Sequence, residues 1–265
     1  MSTVLQSIID GVLEDVAGRE VPLAQLRSQL AEAPQLRGAY KALSKSGTHV
    51  IAEVKRSSPS KGALADIPSA GKLADLYQEG GASVVSVLTE ERRFKGSLSD
   101  FREVRSAIDL PVLRKDFIVT EFQVLESRLV GADLLLLIVA GLSQSQYRDF
   151  HQMANELGMD VLVEVHNEEE LERAFDIAPS IVGVNSRNLK TLELDPTVFD
   201  LLIPKIPVGV VRVAESGIAT RSEVAHIESL GGNAILVGET LVKAGDPRSA
   251  IRNLRGEDEA GAGTF

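Results

Sequence analysis

The chain has no cysteine and no tryptophan among its 265 residues, and only 4 histidines. Without cysteine there can be no disulfides, thiolate metal sites or cysteine nucleophile, a composition that suits a reducing cytoplasm. The histidines, His49, His151, His166 and His226, lack the spacing of a metal-ligand set. Basic residues are outnumbered, 28 Lys+Arg against 38 Asp+Glu. The resulting net charge of −10 opposes non-specific attraction to nucleic acid or anionic membranes. Long apolar runs are also missing, since the longest, Leu134 to Ala140, is too short to span a bilayer. The N-terminus mixes acids among its apolar residues and has no basic start, unlike a signal peptide. The expectation is a cytoplasmic protein with no nucleic-acid or membrane partner.

What is present is ordinary for a globular protein: 44% hydrophobic and 25% charged residues, enough for a sizeable core. The length also matches the roughly 250 residues of a barrel made from eight βα units. Eight short runs rich in β-branched residues and leucine fall at Val50–Val54, Ser83–Leu88, Pro111–Leu113, Leu134–Val139, Val161–Val165, Ile181–Val184, Val208–Val213 and Ala234–Val237. They are apolar nearly throughout instead of alternating, the pattern of parallel strands covered on both faces. Amphipathic segments between them predict helices at Ser69–Glu79, Ser99–Ile108, Glu121–Val130, Ser143–Leu157, Glu168–Ile177 and Thr220–Leu230. Before three strands, Gly80-Gly81, Gly131 and Gly231-Gly232 fit left-handed caps that turn a helix back into the sheet. An open doubly wound sheet shares this alternation, but its Gly-x-Gly-x-x-Gly turn and the Gly-x-x-x-x-Gly-Lys-Ser/Thr phosphate loop are both absent. The expected fold is therefore α/β, a (βα)8 TIM barrel. Leu5, Ile8, Ile9, Val12, Leu13 and Val16 follow helical spacing and open an N-terminal helical extension over residues 1–47. One domain is expected over 1–255, with 256–265 as a frayed C-terminal tail.

In parallel barrels the chemistry sits where strands end and βα loops begin. Alternation sends Glu53 and Lys55 to the same side of the first strand, into the barrel mouth. The second strand runs into Glu90, the third into Arg114-Lys115-Asp116, the fifth contains Glu164, the sixth ends in Asn185-Ser186-Arg187 and the seventh in Glu215-Ser216-Gly217. A structural ion-pair network explains any one of these as well as catalysis does. For the set, two lysines among carboxylates in a partly dry mouth are costly to keep, and such surroundings tune Lys and Glu for proton transfer near neutral pH. Gly217 and Gly238-Glu239 open helices after the last two strands, where backbone N–H groups attract phosphate; a tight turn would also call for glycine. The segment from Arg56 to Gly62 is basic and rich in hydroxyls, reading either as a mobile loop over an anion or as a plain solvated loop. Phe94, Phe117 and Leu189 follow strand ends and fit either an apolar pocket or ordinary packing. His166, two residues past Glu164, has no companion ligand, so metal catalysis is disfavoured.

These phrases have a family likeness. The stretch from Ile51 to Ser60, with Glu53, Lys55, Ser58 and Pro59, closely resembles the signature of the indole-3-glycerol phosphate synthases. Ser86–Glu90, Val112–Phe117, Leu162–His166, Gly183–Leu189, Ala214–Gly217 and Val237–Glu239 resemble the remaining strand-end motifs of that family, in order. The resemblance implies a (βα)8 barrel with an N-terminal helical extension and a carboxy-lyase of tryptophan biosynthesis. Its phosphorylated small-molecule substrate would be 1-(2-carboxyphenylamino)-1-deoxyribulose 5-phosphate, closed to indole-3-glycerol phosphate with loss of carbon dioxide and water. No metal or organic cofactor is implied. By the same resemblance Lys115 is the general acid of ring closure, Lys55 pairs with the anthranilate carboxylate, and Glu164 is the acid/base of dehydration. Glu53, Asn185, Glu215 and Ser216 complete the polar shell. Ser58, Gly217, Gly238 and the backbone of Glu239 match the phosphate cradle, with Arg187 near it, although many relatives have serine at the position of Glu239. Phe94, Phe117 and Leu189 match the ring pocket. A Schiff-base aldolase using Lys115 or Lys55 and a non-enzymatic binding barrel are the competing expectations. The neighbouring isomerase of the pathway relies on a cysteine that this chain lacks.

Overall fold

The structure is a computed structural model and describes residues 3–257. Eight parallel strands close into a barrel: β1 (His49–Val54), β2 (Val84–Leu88), β3 (Val112–Lys115), β4 (Leu134–Ile138), β5 (Asp160–Val165), β6 (Ile181–Asn185), β7 (Val211–Glu215) and β8 (Ala234–Val237). Each pairs with its neighbour in sequence, and β8 closes the ring on β1 with His49 opposite Ala234 and Ala52 opposite Val237. The strands are buried on both faces almost throughout, which explains why their sequences do not alternate.

Most helices between strands start at side-chain caps. Ser69, Thr120, Ser143, Asn167 and Thr220 each accept a hydrogen bond from a backbone N–H in the first turn, and Ser143 and Thr220 form reciprocal capping boxes with Gln146 and Glu223. At the other ends, Gly81, Gly131 and Gly231 have φ of 87°, 89° and 92°, the left-handed turns expected of them.

Several boundaries differ from the sequence expectation. β7 begins at Val211, because Pro207, Val208 and Gly209 form a turn in which Val208 is 96% exposed. β3 continues to Lys115 and β7 to Glu215, so polar residues lie inside strands that an apolar criterion cuts short. The segment Glu168–Ile177 is α-helical to Ala174 and then tightens into a 3-10 turn.

The N-terminal extension holds helices Val4–Ala17, Leu23–Gln29 and Ala39–Leu43. Leu5, Ile8, Val12 and Val16 are buried against the barrel, whereas Leu13 is 42% exposed and lies off the stripe. The extension runs from the mouth, where Ile8 lines a pocket, to the opposite end of the barrel. There the backbone N–H groups of Arg37 and Tyr40 donate to Asp133 and Asp160 at 2.7 and 2.8 Å. Among the described residues no helix is long and apolar enough to cross a membrane. The tail expected from Gly256 onward lies outside the described residues after Glu257.

Candidate active site

Two adjoining hollows open at the carboxyl ends of the strands. The inner pocket is lined by Ser58, Phe94, Lys115, Phe117, Glu164, Asn185, Leu189 and Glu215, and the outer cleft by Gly217, Gly238 and Glu239; Glu53, Lys55, Arg187 and Ser216 line both. The structure therefore brings the strand-end candidates of the sequence other than Glu90 to one place, on strands separated by up to half the barrel.

Lys115 is the centre. Its Nζ donates to Glu164 Oε2 at 2.9 Å and lies 3.5 Å from Glu215 Oε2. Burial opposes a charge on Lys115, yet Glu164, Glu215 and Glu53 outweigh it and hold the ammonium well above its ordinary pKa. Burial likewise opposes ionisation of Glu164, but Lys115 and His166 keep it below the usual carboxylate range. Glu215 is the reverse case. Burial raises it, Lys115 compensates only in part, and the Glu164 and Glu53 charges add to the rise, making Glu215 the carboxyl that takes up a proton most readily. Among the described residues neither Glu215 oxygen has a hydrogen-bond partner.

Lys55 Nζ pairs with Glu53 Oε1 at 3.2 Å and stands 5.7 Å from the centre of the Phe94 ring, within cation–π range. Phe94 and Phe117 are tilted neighbours, 6.2 Å between centroids, forming one apolar wall. Glu90 is not in the pocket lining; its Oε2 accepts the N–H groups of Arg93 and Phe94 at 2.8 and 2.9 Å and so fixes the turn that presents Phe94. Arg114 points the opposite way from Lys115, as alternation in a strand requires, and is fully buried against Asp116 and Glu126 at 3.0 and 2.9 Å.

At the outer cleft, Ser216 and Gly217 both adopt left-handed backbone, φ 70° and 74°, making a sharp turn after β7. Ser216 does so at a steric cost that functional sites often bear. The Glu239 side chain lies between two lysines, its Oε1 accepting from Lys61 and Lys243 at 2.8 Å each. Arg187 donates to the Leu192 carbonyl at 2.8 Å and to Ser60 at 3.3 Å, which ties the loop after β6 to the loop after β1. Ser58 sits in the inner pocket and accepts the Lys61 N–H at 3.3 Å, so it is apart from the outer cleft that holds Gly217 and Gly238.

Several contacts at the site are not visible in the sequence. An added Cβ on Gly183 would lie 2.0 Å from Glu215 Oε1, and one on Gly238 2.6 Å from Glu53 Oε1. These glycines make room for carboxylates of adjacent strands, which local sequence does not reveal. Lys61 was visible within a basic loop, but its partner Glu239 is 178 residues away. Leu136, Leu236 and Ile8 line the inner pocket and carry no chemical signal of their own. His166 was legible only as an isolated metal-ligand type; among the described residues no cluster of three potential metal ligands occurs, and His166 instead contacts Glu164 and Glu170.

A closed (βα)8 barrel with charged proton-transfer groups, an apolar wall and a basic cleft at its carboxyl end defines an enzyme site for a small, partly aromatic anion. The indole-3-glycerol phosphate synthase family model matches residues 5–254. Indole-3-glycerol phosphate synthases from Mycolicibacterium smegmatis and Micrococcus luteus are each 51% identical to the chain, over 255 residues (96% of this chain, 94% of the relative) and 260 residues (96% and 97%). The chain belongs to the indole-3-glycerol phosphate synthase family. Among solved structures, a 3-hexulose-6-phosphate synthase matches at TM-score 0.61 and 16% identity, covering 80% of this chain and 99% of its own. A chain of the Pyrococcus furiosus tryptophan synthase complex matches at TM-score 0.60 and 17% identity, covering 78% and 98%. At such low identity these two show a shared fold alone.

Proposed function

We propose that this protein acts as an indole-3-glycerol phosphate synthase, converting 1-(2-carboxyphenylamino)-1-deoxyribulose 5-phosphate to indole-3-glycerol phosphate, carbon dioxide and water, with the strand-end residues in the following roles. The observation that carries the assignment is Lys115, a buried ammonium held among carboxylates and facing an apolar wall. The substrate ring packs against Phe94, Phe117 and Leu189, and its carboxylate pairs with Lys55. The sugar phosphate reaches the outer cleft, where Gly217, Gly238 and the backbone of Glu239 offer N–H groups and Arg187 adds charge. Ser58 binds on the inner-pocket side of the same loop.

In this pose the flexible sugar chain is folded so that its carbonyl carbon meets the ring carbon bearing the carboxylate, a conformation rarely visited in water. As that C–C bond forms, Lys115 passes a proton to the carbonyl oxygen, which becomes a hydroxyl. The C–C bond to the carboxylate then breaks and carbon dioxide leaves, its electrons returning to the ring. Glu164 then takes a proton from the methylene carbon between the nitrogen and the former carbonyl carbon, and the hydroxyl departs as water with a proton from a lysine, leaving the C=C bond of the indole. Glu53, Asn185, Glu215 and Ser216 hold this shell in place. A Schiff-base mechanism is disfavoured, because an ammonium kept above its usual pKa is a poor nucleophile. We infer a cytoplasmic location and no nucleic-acid or membrane partner, on the net charge of −10. The test is formation of the indole product by the purified chain. Borohydride trapping of a covalent adduct, with no indole formed, would favour the aldolase instead.

A further inference from the structure

Each carboxylate oxygen of Glu164 faces a cation. Oε2 holds Lys115 at 2.9 Å, and Oε1 lies 3.3 Å from His166 Nε2. His166 is gripped from behind: its Nδ1 is 2.9 Å from Glu170 Oε2, which also accepts the His166 backbone N–H at 2.9 Å. The His166 and Glu170 side chains are only 10% and 13% exposed. Nε2 is buried without a hydrogen-bond partner, close to Glu164 but out of alignment, so the contact is Coulombic. Leaving a ring nitrogen unpaired is costly in a folded interior. Here it places a positive charge beside a carboxylate proposed to carry the chemistry. A chain of alternating sign results, running Glu170, His166, Glu164, Lys115.

The order matters when Lys115 reacts. On giving its proton to the substrate, Lys115 becomes a neutral amine and Glu164 loses its principal counter-charge, while Glu215 stays nearby. His166 is the cation left to Glu164. Resting on the function proposed above, we propose that His166 and Glu170 are positioning residues, which keep the Glu164 carboxylate ionised and directed at the substrate while Lys115 is discharged. Burial alone would strip the proton from His166, but Glu164 and Glu170 hold its pKa up to about 9. The charges facing it are Glu164 at the end of its own strand and Glu170 from the following helix, with Lys115 from β3 and Glu215 from β7 beyond Glu164.

The test has two readouts on the full chain. Titration of the imidazole resonances by NMR, with His166 assigned by its loss in H166Q, should show it titrating near 9, against an ordinary 6.5. In E170Q that titration should fall by about one pH unit. In kinetics, H166Q should move the acidic limb of the kcat profile upward by about one pH unit and lower kcat about tenfold, with KM nearly constant. E170Q should act in the same direction and serves alone if H166Q does not fold. A purely structural role would reduce the folded fraction without moving the limb. His166 titrating at or below 6.5, or an unmoved acidic limb in a folded variant, overturns the proposal. The titration needs no substrate, so its result stands apart from whether the protein makes indole.

Discussion

A single methyl group separates Gly183 from a collision with Glu215, since a Cβ there would sit 2.0 Å from the carboxylate oxygen. Gly183→Ala should therefore push Glu215 away from Lys115. We expect a loss of about tenfold or more in kcat together with about 1–3 kcal/mol of stability, the range for an overpacked core, measured by steady-state kinetics and denaturant unfolding. Unchanged kcat would mean that the position of Glu215 is unimportant to turnover. At this scale the sequence was informative wherever two-residue alternation decides direction, as for Glu53 with Lys55 or Arg114 against Lys115. It was silent where a side chain reaches across strands. Glu215 over Gly183, and His166 between two carboxylates, depend on register and on a neighbouring helix that no local pattern encodes.

The outer cleft depends on two elements, the loop after β1 and the short helix Glu239–Val242 after β8. Glu239 ties Lys61 of that loop to Lys243 of the helix end, so a carboxylate occupies the region assigned to the substrate phosphate. Two exposed ion pairs contribute little to holding the lysines, each worth at most about 1 kcal/mol. Repulsion between a carboxylate and a phosphate dianion a few ångströms apart is of at least that size. Repulsion should win. Glu239→Gln is therefore predicted to tighten competitive inhibition by inorganic phosphate roughly three- to tenfold, whereas weaker inhibition would show that Glu239 organises the cleft. Element positions were legible because apolar runs and capping residues are local. The misplaced start of β7 shows the limit, since Val208 belongs by composition to a strand but follows Pro207 into an exposed turn.

Over the whole molecule, a chain of net charge −10 gathers Lys55, Lys61, Arg187 and Lys243 at the outer cleft against Glu53 and Glu239, giving that cleft a local sign opposite to the total. KM should consequently rise with ionic strength, as screening shortens the reach of those charges, and a flat response to added salt would argue against charge recognition. Alkaline pH should weaken the fold. His166 has a folded pKa of about 9 against 6.5 when free, so its contribution is complete below 6.5 and is lost as pH rises through 9. Glu215, raised by burial, changes stability with the same sign. H166Q should lose less Tm than the unaltered chain between neutral pH and 9.5 or so, by differential scanning calorimetry. The barrel itself was readable from the count of runs and the lack of alternation. The register in which β8 closes on β1, and the extension that crosses from the mouth to the far end, emerged only in three dimensions. The most direct test of the account is indole fluorescence on mixing the purified chain with 1-(2-carboxyphenylamino)-1-deoxyribulose 5-phosphate, read against a background free of tryptophan. The account predicts a steady rise that Lys115→Ala reduces by roughly 100- to 10,000-fold. No rise from the folded chain, or an undiminished rate in Lys115→Ala, would contradict it.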